Sequence, residues 1–125
     1  MWIKANPNPE KKLVDDCVIR ALCIVLDEDW EFIHKELSDL SREMYEIQIS
    51  NNVWTRYLKD RGFKKKIIPD TCPYCYSIRK FTVDHPFGTF VLATGEHVVA
   101  VIDGNYYDTW DSGNEVPIYY FERTY

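Results

Sequence analysis

The sequence predicts an α+β fold, N-terminal helices packed on a C-terminal antiparallel β-sheet, as one domain over residues 1–125. Two observations predict it. Through residue 62 the apolar side chains recur at helical spacing, and from residue 89 the texture changes to short runs of branched and aromatic residues punctuated by Gly and Asp. Runs of helices followed by runs of strands, with no repeat or low-complexity linker between them, give this class of architecture. A chain of 125 residues, 46% hydrophobic, is long and apolar enough to bury one core.

Behind the Asn6-Pro7-Asn8-Pro9 segment, Val14, Cys17, Val18, Ala21, Leu22 and Val25 form an i, i+3, i+4, i+7, i+8, i+11 series, the pattern of a helix face. Ile19, Cys23, Ile24 and Leu26 fill the other faces, so this helix is apolar nearly all round and is expected to be central. A second helix carries Trp30, Ile33, Leu37, Leu40 and Met44 on one stripe, with Glu31 and Lys35 spaced as a surface pair. Ser50-Asn51-Asn52 is a capping cluster for a third helix, which carries Trp54, Tyr57 and Leu58 and closes at Gly62. Residues 63–68 read as a strand and 77–83 as a short helix before His85-Pro86. Residues 89–93, 97–102, 106–110 and 116–121 read as strands.

One hairpin allows a geometric deduction. Asp103-Gly104 is a strong two-residue turn signal between apolar strands. That turn sets Ile102 opposite Asn105, Val99 opposite Asp108 and His97 opposite Trp110. Facing residues share a side of the sheet, so Asp108 becomes a diagonal neighbour of His97, within reach of its imidazole. Asp111 has the opposite parity and points away. A three-residue loop would reverse the result.

Composition narrows the functional classes. A net charge of −5 weighs against a general nucleic-acid binder, although Arg56, Lys59, Arg61, Lys64, Lys65 and Lys66 crowd into residues 56–66. A solvated charge run is the commoner reading of such a patch. No apolar run approaches the ~20 residues that span a bilayer, and residues 1–9 lack the layout of a signal peptide. A cytoplasmic protein without a membrane partner is the expectation, and its four cysteines then read as reduced thiols. Cys72-Pro73-Tyr74-Cys75 is a CxxC motif, but structural zinc usually takes four ligands and no second CxxC follows. A structural turn is the plain reading there, and no metal or other cofactor is expected. His34 reads as a solvated surface residue and His85 as a turn residue. Trp110 either walls His97 or fills the core.

Cys17 at the head of the apolar helix, with His97 and Asp108 on one hairpin face, combines a thiol, an imidazole and a carboxylate. A thiol with a pKa near ~8.5 is mostly protonated at neutral pH, and the thiolate is the nucleophile. A helix N-terminus and an adjacent imidazolium favour the thiolate. A carboxylate on the second ring nitrogen fixes the tautomer and steadies the charged ring. Two features pull the other way. Asp15 and Asp16 precede Cys17 and oppose a thiolate if unpaired, whereas as helix caps they turn their charge aside. Unreactive cysteines are also common on apolar helix faces.

The order Cys17, His97, Asp108 resembles the papain-like cysteine peptidase superfamily, in which the cysteine starts the central helix and the histidine starts a sheet strand. Asp108-Thr109-Trp110 looks like the Asn-Ser-Trp of papain-type enzymes, with aspartate in place of asparagine. Over nearly its full length the chain is most similar to small papain-like proteins of gut bacteria and their phages. In these an N-P segment, D-C-V-I-R-A and a terminal H-V-V-x-V-x-D-G-x-Y-Y-D-T-W-D-S recur, matched here at residues 16–21 and 97–112. The resemblance implies a nucleophilic Cys17, a base at His97, an orienting Asp108 and a protein or peptide substrate. Papain-type enzymes place an oxyanion-holding glutamine six residues before the cysteine, and here that position is Lys11. Asn8 or Asn6 from the preceding loop is the candidate substitute, beside the Cys17 backbone N–H.

Three readings stand at this point. One is a thiol hydrolase, or an acyltransferase of transglutaminase-like or arylamine acetyltransferase-like chemistry. Another is an inactive papain-like scaffold serving as a protein-binding module, favoured by the missing glutamine and by the paired aspartates. The third is a binder of nucleic acid or an acidic partner through the Arg56 to Lys66 patch, which the acidic total weighs against.

Overall fold

A computed structural model describes residues 1–69 and 73–124. In chain order the elements are β1 (Trp2–Lys4), α1 (Cys17–Leu26), α2 (Trp30–Met44), α3 (Asn51–Asp60), β2 (Phe63–Ile67), α4 (Ile78–Asp84), β3 (Thr89–Ala93), β4 (Val98–Ile102), β5 (Asn105–Asp108) and β6 (Tyr119–Arg123). The architecture is α+β, and the strands form one mixed sheet in the order β1-β5-β4-β3-β6-β2.

The sheet departs from the expected C-terminal, antiparallel one at both edges. β1 pairs in parallel with β5, setting Trp2 opposite Tyr106 and Lys4 opposite Asp108. β2 comes from the middle of the chain and borders β6. A three-residue strand carries too little period-2 pattern to register in a sequence, and a parallel partner is reached only through a long crossover.

The central hairpin forms as its turn dictates. Asp103 and Gly104 both take positive φ, 48° and 80°, which is what a two-residue turn of the primed type requires. The resulting register sets Ile102 against Asn105, Val101 against Tyr106 and Ala100 against Tyr107. β6 starts at Tyr119, later than the expected residue 116; Pro117 offers no N–H to a ladder.

Alternation gives the sheet two buried faces. Val91, Ala93, Val98, Ala100 and Phe121 pack with α1, α2 and α3. Phe90, Leu92, Val99, Val101 and Tyr106 pack with Ile78 and Phe81 of α4. α1 lies across β3 and β4, reaches β5, and meets α2 on its other side. Its start differs from the periodicity: Val14 lies before the helix and is exposed. Cys17 is the first helical residue, and the backbone turns just ahead of it, with Asp16 N–H donating to Val14 O at 2.8 Å.

The other helices follow their caps. The Asp29 side chain accepts from Phe32 N–H, Ser50 from Asn52 N–H and Ser77 from Lys80 N–H. Ile33 and Leu37 form the buried part of the α2 stripe, and Lys35 pairs with Asp39 at 2.6 Å rather than with Glu31. In the basic segment, Arg56, Arg61 and Lys66 face Asp60, Glu36 and Glu122, so half of that charge is already answered within the fold. Among the described residues, no helix is long and apolar enough to cross a membrane. Cys72 of the CxxC motif lies outside the described residues, and Cys75 carries an exposed free thiol.

Candidate active site

Cys17, His97 and Asp108 meet at the end of the sheet under the N-terminus of α1. The first residue of α1 is Cys17, half-buried, and Asp16 at the N-cap position makes no side-chain capping bond. The first-turn N–H groups of α1 are therefore left without a side-chain cap, and the partial positive charge of the helix end stands beside the thiol. His97 immediately precedes β4. A tight turn fixes its backbone, with Thr94 N–H donating to His97 O at 2.8 Å and His97 N–H donating to Thr94 Oγ1 at 2.9 Å.

The imidazole lies between two partners. His97 Nε2 is 2.5 Å from Asp108 Oδ2, and the Cys17 side chain is near enough to raise the ring's pKa. With Nε2 engaged on the carboxylate, Nδ1 is the nitrogen left to serve the thiol. Asp108, the last residue of β5, is 3% exposed. Its Oδ2 also accepts from Ser112 Oγ at 2.7 Å, and its Oδ1 accepts from Thr109 N–H at 2.8 Å. β1 holds the same residue by its backbone: Ala5 N–H and Trp2 Nε1 both donate to Asp108 O, at 3.0 and 3.2 Å.

The contact is the one the hairpin register implies, but strict alternation would turn both side chains toward α4. The β4–β5 ladder ends at Ala100 and Tyr107. Beyond it Asp108 stays paired with Lys4 of β1 while His97 precedes β4, and both side chains turn to meet α1.

Electrostatics follow from this packing. Burial disfavours a charged His97, yet its hydrogen bonds to Asp108 and Cys17, with their negative charges, raise its pKa from 6.5 to about 9. Burial likewise works against the Asp108 carboxylate. The hydrogen bonds from His97 and Ser112, the imidazolium charge and the Thr109 N–H outweigh it and hold the carboxyl below its ordinary value. The site is arranged to hold a charged imidazole against the buried Asp108 carboxylate.

Asp16, which a sequence reading could set against a thiolate, is turned inward. It forms an ion pair with Arg20 and accepts from Trp30 Nε1 at 3.0 Å and Asn8 Nδ2 at 3.3 Å. Asp15 is exposed. Arg20 also faces Asp108, with Nη2 3.6 Å from Oδ1. Asn8, a candidate oxyanion donor, is buried in the preceding loop: its Nδ2 serves Asp16 and its Oδ1 accepts from the N–H groups of Glu10 and Lys12. Asn6 likewise binds within that loop, to Lys12 O and Asn8 N–H.

Around this centre, Trp110 stands with its ring centroid 5.3 Å from that of His97 and remains 46% exposed. It walls the histidine rather than filling the core, and with Thr94, Glu96 and Glu115 it borders a shallow open depression. Asp111 points away, accepting from the Tyr106 hydroxyl and facing Arg79. His34 is an exposed residue stacked on Trp30. His85 ends α4, stacked on Phe81 with Nδ1 2.9 Å from Phe81 O. Among the described residues, no group of His, Cys, Asp and Glu is placed to hold a metal ion.

Arg20 and Ser112 are the functional candidates that periodicity and turn signals pass over. Arg20 did leave a trace, as the one charged residue in an otherwise apolar α1, four residues after Asp16. Ser112 closes the recurring motif at residues 97–112, but nothing there indicates its bond to Asp108, because that partnership is made by a loop that doubles back on β5. Chemically, the group can supply a thiolate, a proton carrier and a fixed carboxylate beside uncapped backbone N–H groups. No family model, no curated protein and no solved structure matches the chain.

Proposed function

We propose that this chain is a papain-like thiol hydrolase that cleaves a peptide, isopeptide or amide bond through Cys17, His97 and Asp108. The observation that carries this reading is the His97 imidazole, hydrogen-bonded to a buried carboxylate and close enough to a cysteine at a helix N-terminus for the two to interact. A central cysteine-bearing helix laid across the sheet that supplies the other two residues supports the papain-like part of it.

In this reading the Cys17 sulfur attacks the carbonyl carbon, forming a C–S bond while the carbonyl electron pair moves onto oxygen. That oxyanion faces the first-turn N–H groups of α1, Cys17's own among them, and none of the loop asparagines is needed. The C–N bond then breaks, and His97 gives its proton to the departing amine. Water attacks the thioester with His97 taking its proton; the C–S bond breaks, the acid leaves and the thiolate–imidazolium pair is restored. Asp108 holds the ring in one tautomer throughout and stays ionised. The aspartates that favoured an inactive scaffold lose their force, since Asp16 is matched by Arg20 and Asp15 faces solvent. An acyltransferase would share the acyl-enzyme and differ only in the acceptor.

Site-resolved alkylation by iodoacetamide across pH tests the pairing. Cys17 is expected to react already at pH 6, and His97→Ala to slow it about tenfold or more there and move its rise to higher pH. Buried Cys23, whose thiol is pushed up to about 12 chiefly by burial, serves as the inert control. Identical profiles in wild type and His97→Ala would remove the basis for catalysis.

A further inference from the structure

We propose that Arg20 is the positioning residue of this site, one guanidinium that both orients Asp108 toward His97 and neutralises Asp16 beside Cys17. The inference rests on the Cys17–His97–Asp108 reading and adds a residue to it. Arg20 lies one turn along α1 from Cys17 and is 7% exposed. An arginine buried this deeply is costly unless its charge is matched. Here it is matched twice, by Asp16 at the start of its own helix and by Asp108 at the end of β5. Its Nη1 also donates to Val14 O at 3.3 Å, tying down the turn that delivers Cys17.

The charges facing Arg20 are Asp16 from the cap of α1 and Asp108 from β5, with His97 on the far side of Asp108. Asp15, Glu96 and Glu115 are exposed. With Cys17 as thiolate and His97 as imidazolium, the cluster holds three anions, Cys17, Asp16 and Asp108, against two cations. Removing Arg20 leaves three against one, with Asp16 uncompensated next to the nucleophile. Asp108 is affected as well. Its Oδ2 is committed to His97 and Ser112, and the guanidinium beside Oδ1 resists rotation of the carboxylate away from the ring. A planar fork suits this two-sided task, whereas a lysine ammonium is a point charge that serves one carboxylate at a time.

The test is the pH profile of Cys17 alkylation in Arg20→Gln, Arg20→Lys and the double variant Asp16→Asn/Arg20→Gln. Circular dichroism and thermal melts establish that each variant is folded. Arg20 faces Asp16 and Asp108 directly, and a neighbouring charge typically moves a titration by about 1 unit, so Arg20→Gln is expected to shift the Cys17 profile upward by an amount on the order of 1 unit. Arg20→Lys should restore part of the shift. The double variant, which removes the buried charges as a neutral pair, should restore most of it and provides the answer if Arg20→Gln alone does not fold. A wild-type profile in folded Arg20→Gln would overturn the proposal, as would a double variant no better than the single one. The failure of the underlying reading looks different: His97→Ala would then leave the profile unchanged whatever Arg20 does.

Discussion

His97 and Asp108 carry opposite pKa displacements, and the sign of each sets a pH window for stability. A histidine raised from 6.5 to about 9 contributes stability that is fully present below the lower value and lost as pH rises through the higher one. Asp108, held below its ordinary value, contributes above the unfolded carboxyl pKa and loses that contribution as pH falls through its lower folded one. Between these limits both contributions are present. The melting-temperature difference between wild type and His97→Ala should therefore be larger at pH 6 than at pH 9.5, as thermal melts at the two values would read. An equal difference at both would mean that the imidazole is not charged in the fold. At this scale much was legible in the sequence. Cys17, His97 and Asp108 follow from one helical periodicity and one Asp-Gly turn, both local signals. Arg20 and Ser112 lie inside the two recurring motifs, but their roles were not legible, because a buried polar partnership depends on which distant elements come together.

At the scale of elements, α1 decides where the nucleophile stands. Leu22 is fully buried between the sheet and α2, four residues into the helix from Val18. Truncating it to Ala removes packing on both sides, and Leu→Ala in such a core costs about 2–5 kcal/mol. Leu13, just ahead of the helix, is 82% exposed, and Leu13→Ala should fall within about 0.5 kcal/mol of wild type. Urea unfolding of both variants checks the pair, and comparable losses would contradict the placement of α1. Elements also mark where reading a sequence stops working. The register of β4 and β5 beside their turn was predictable because a two-residue turn leaves one register. The expected Val99–Asp108 and His97–Trp110 pairs lie beyond the ladder, however, and β5 ends at Asp108 rather than residue 110. β1 was not predictable, since its three residues acquire meaning only against β5. Alternation likewise failed at the last residues of the strands, where the ladder ends and side chains follow their partners rather than the pleat.

The molecule as a whole is a sheet buried on both faces with its chemistry at one end. Helices α1, α2 and α3 cover one side and α4 the other, and the edge strand β1 reaches Asp108 from outside. The order of helices and strands was readable from α1 onward, but the mixed sheet was not, since its parallel pair joins β1, at the start of the chain, to β5 some hundred residues later. The depression beside His97 is shallow and bordered by few side chains, Trp110 the largest. Whether Cys17 is a nucleophile served by His97, as proposed, is decided by acyl transfer from an activated ester. Mixed with p-nitrophenyl acetate and followed by mass spectrometry, the wild type should carry a transient acetyl group on Cys17. That group should form faster there than on exposed Cys75, decay with time, and form slowly in His97→Ala. An acetyl group that reaches Cys17 no faster than Cys75, or equally fast without His97, would contradict the account.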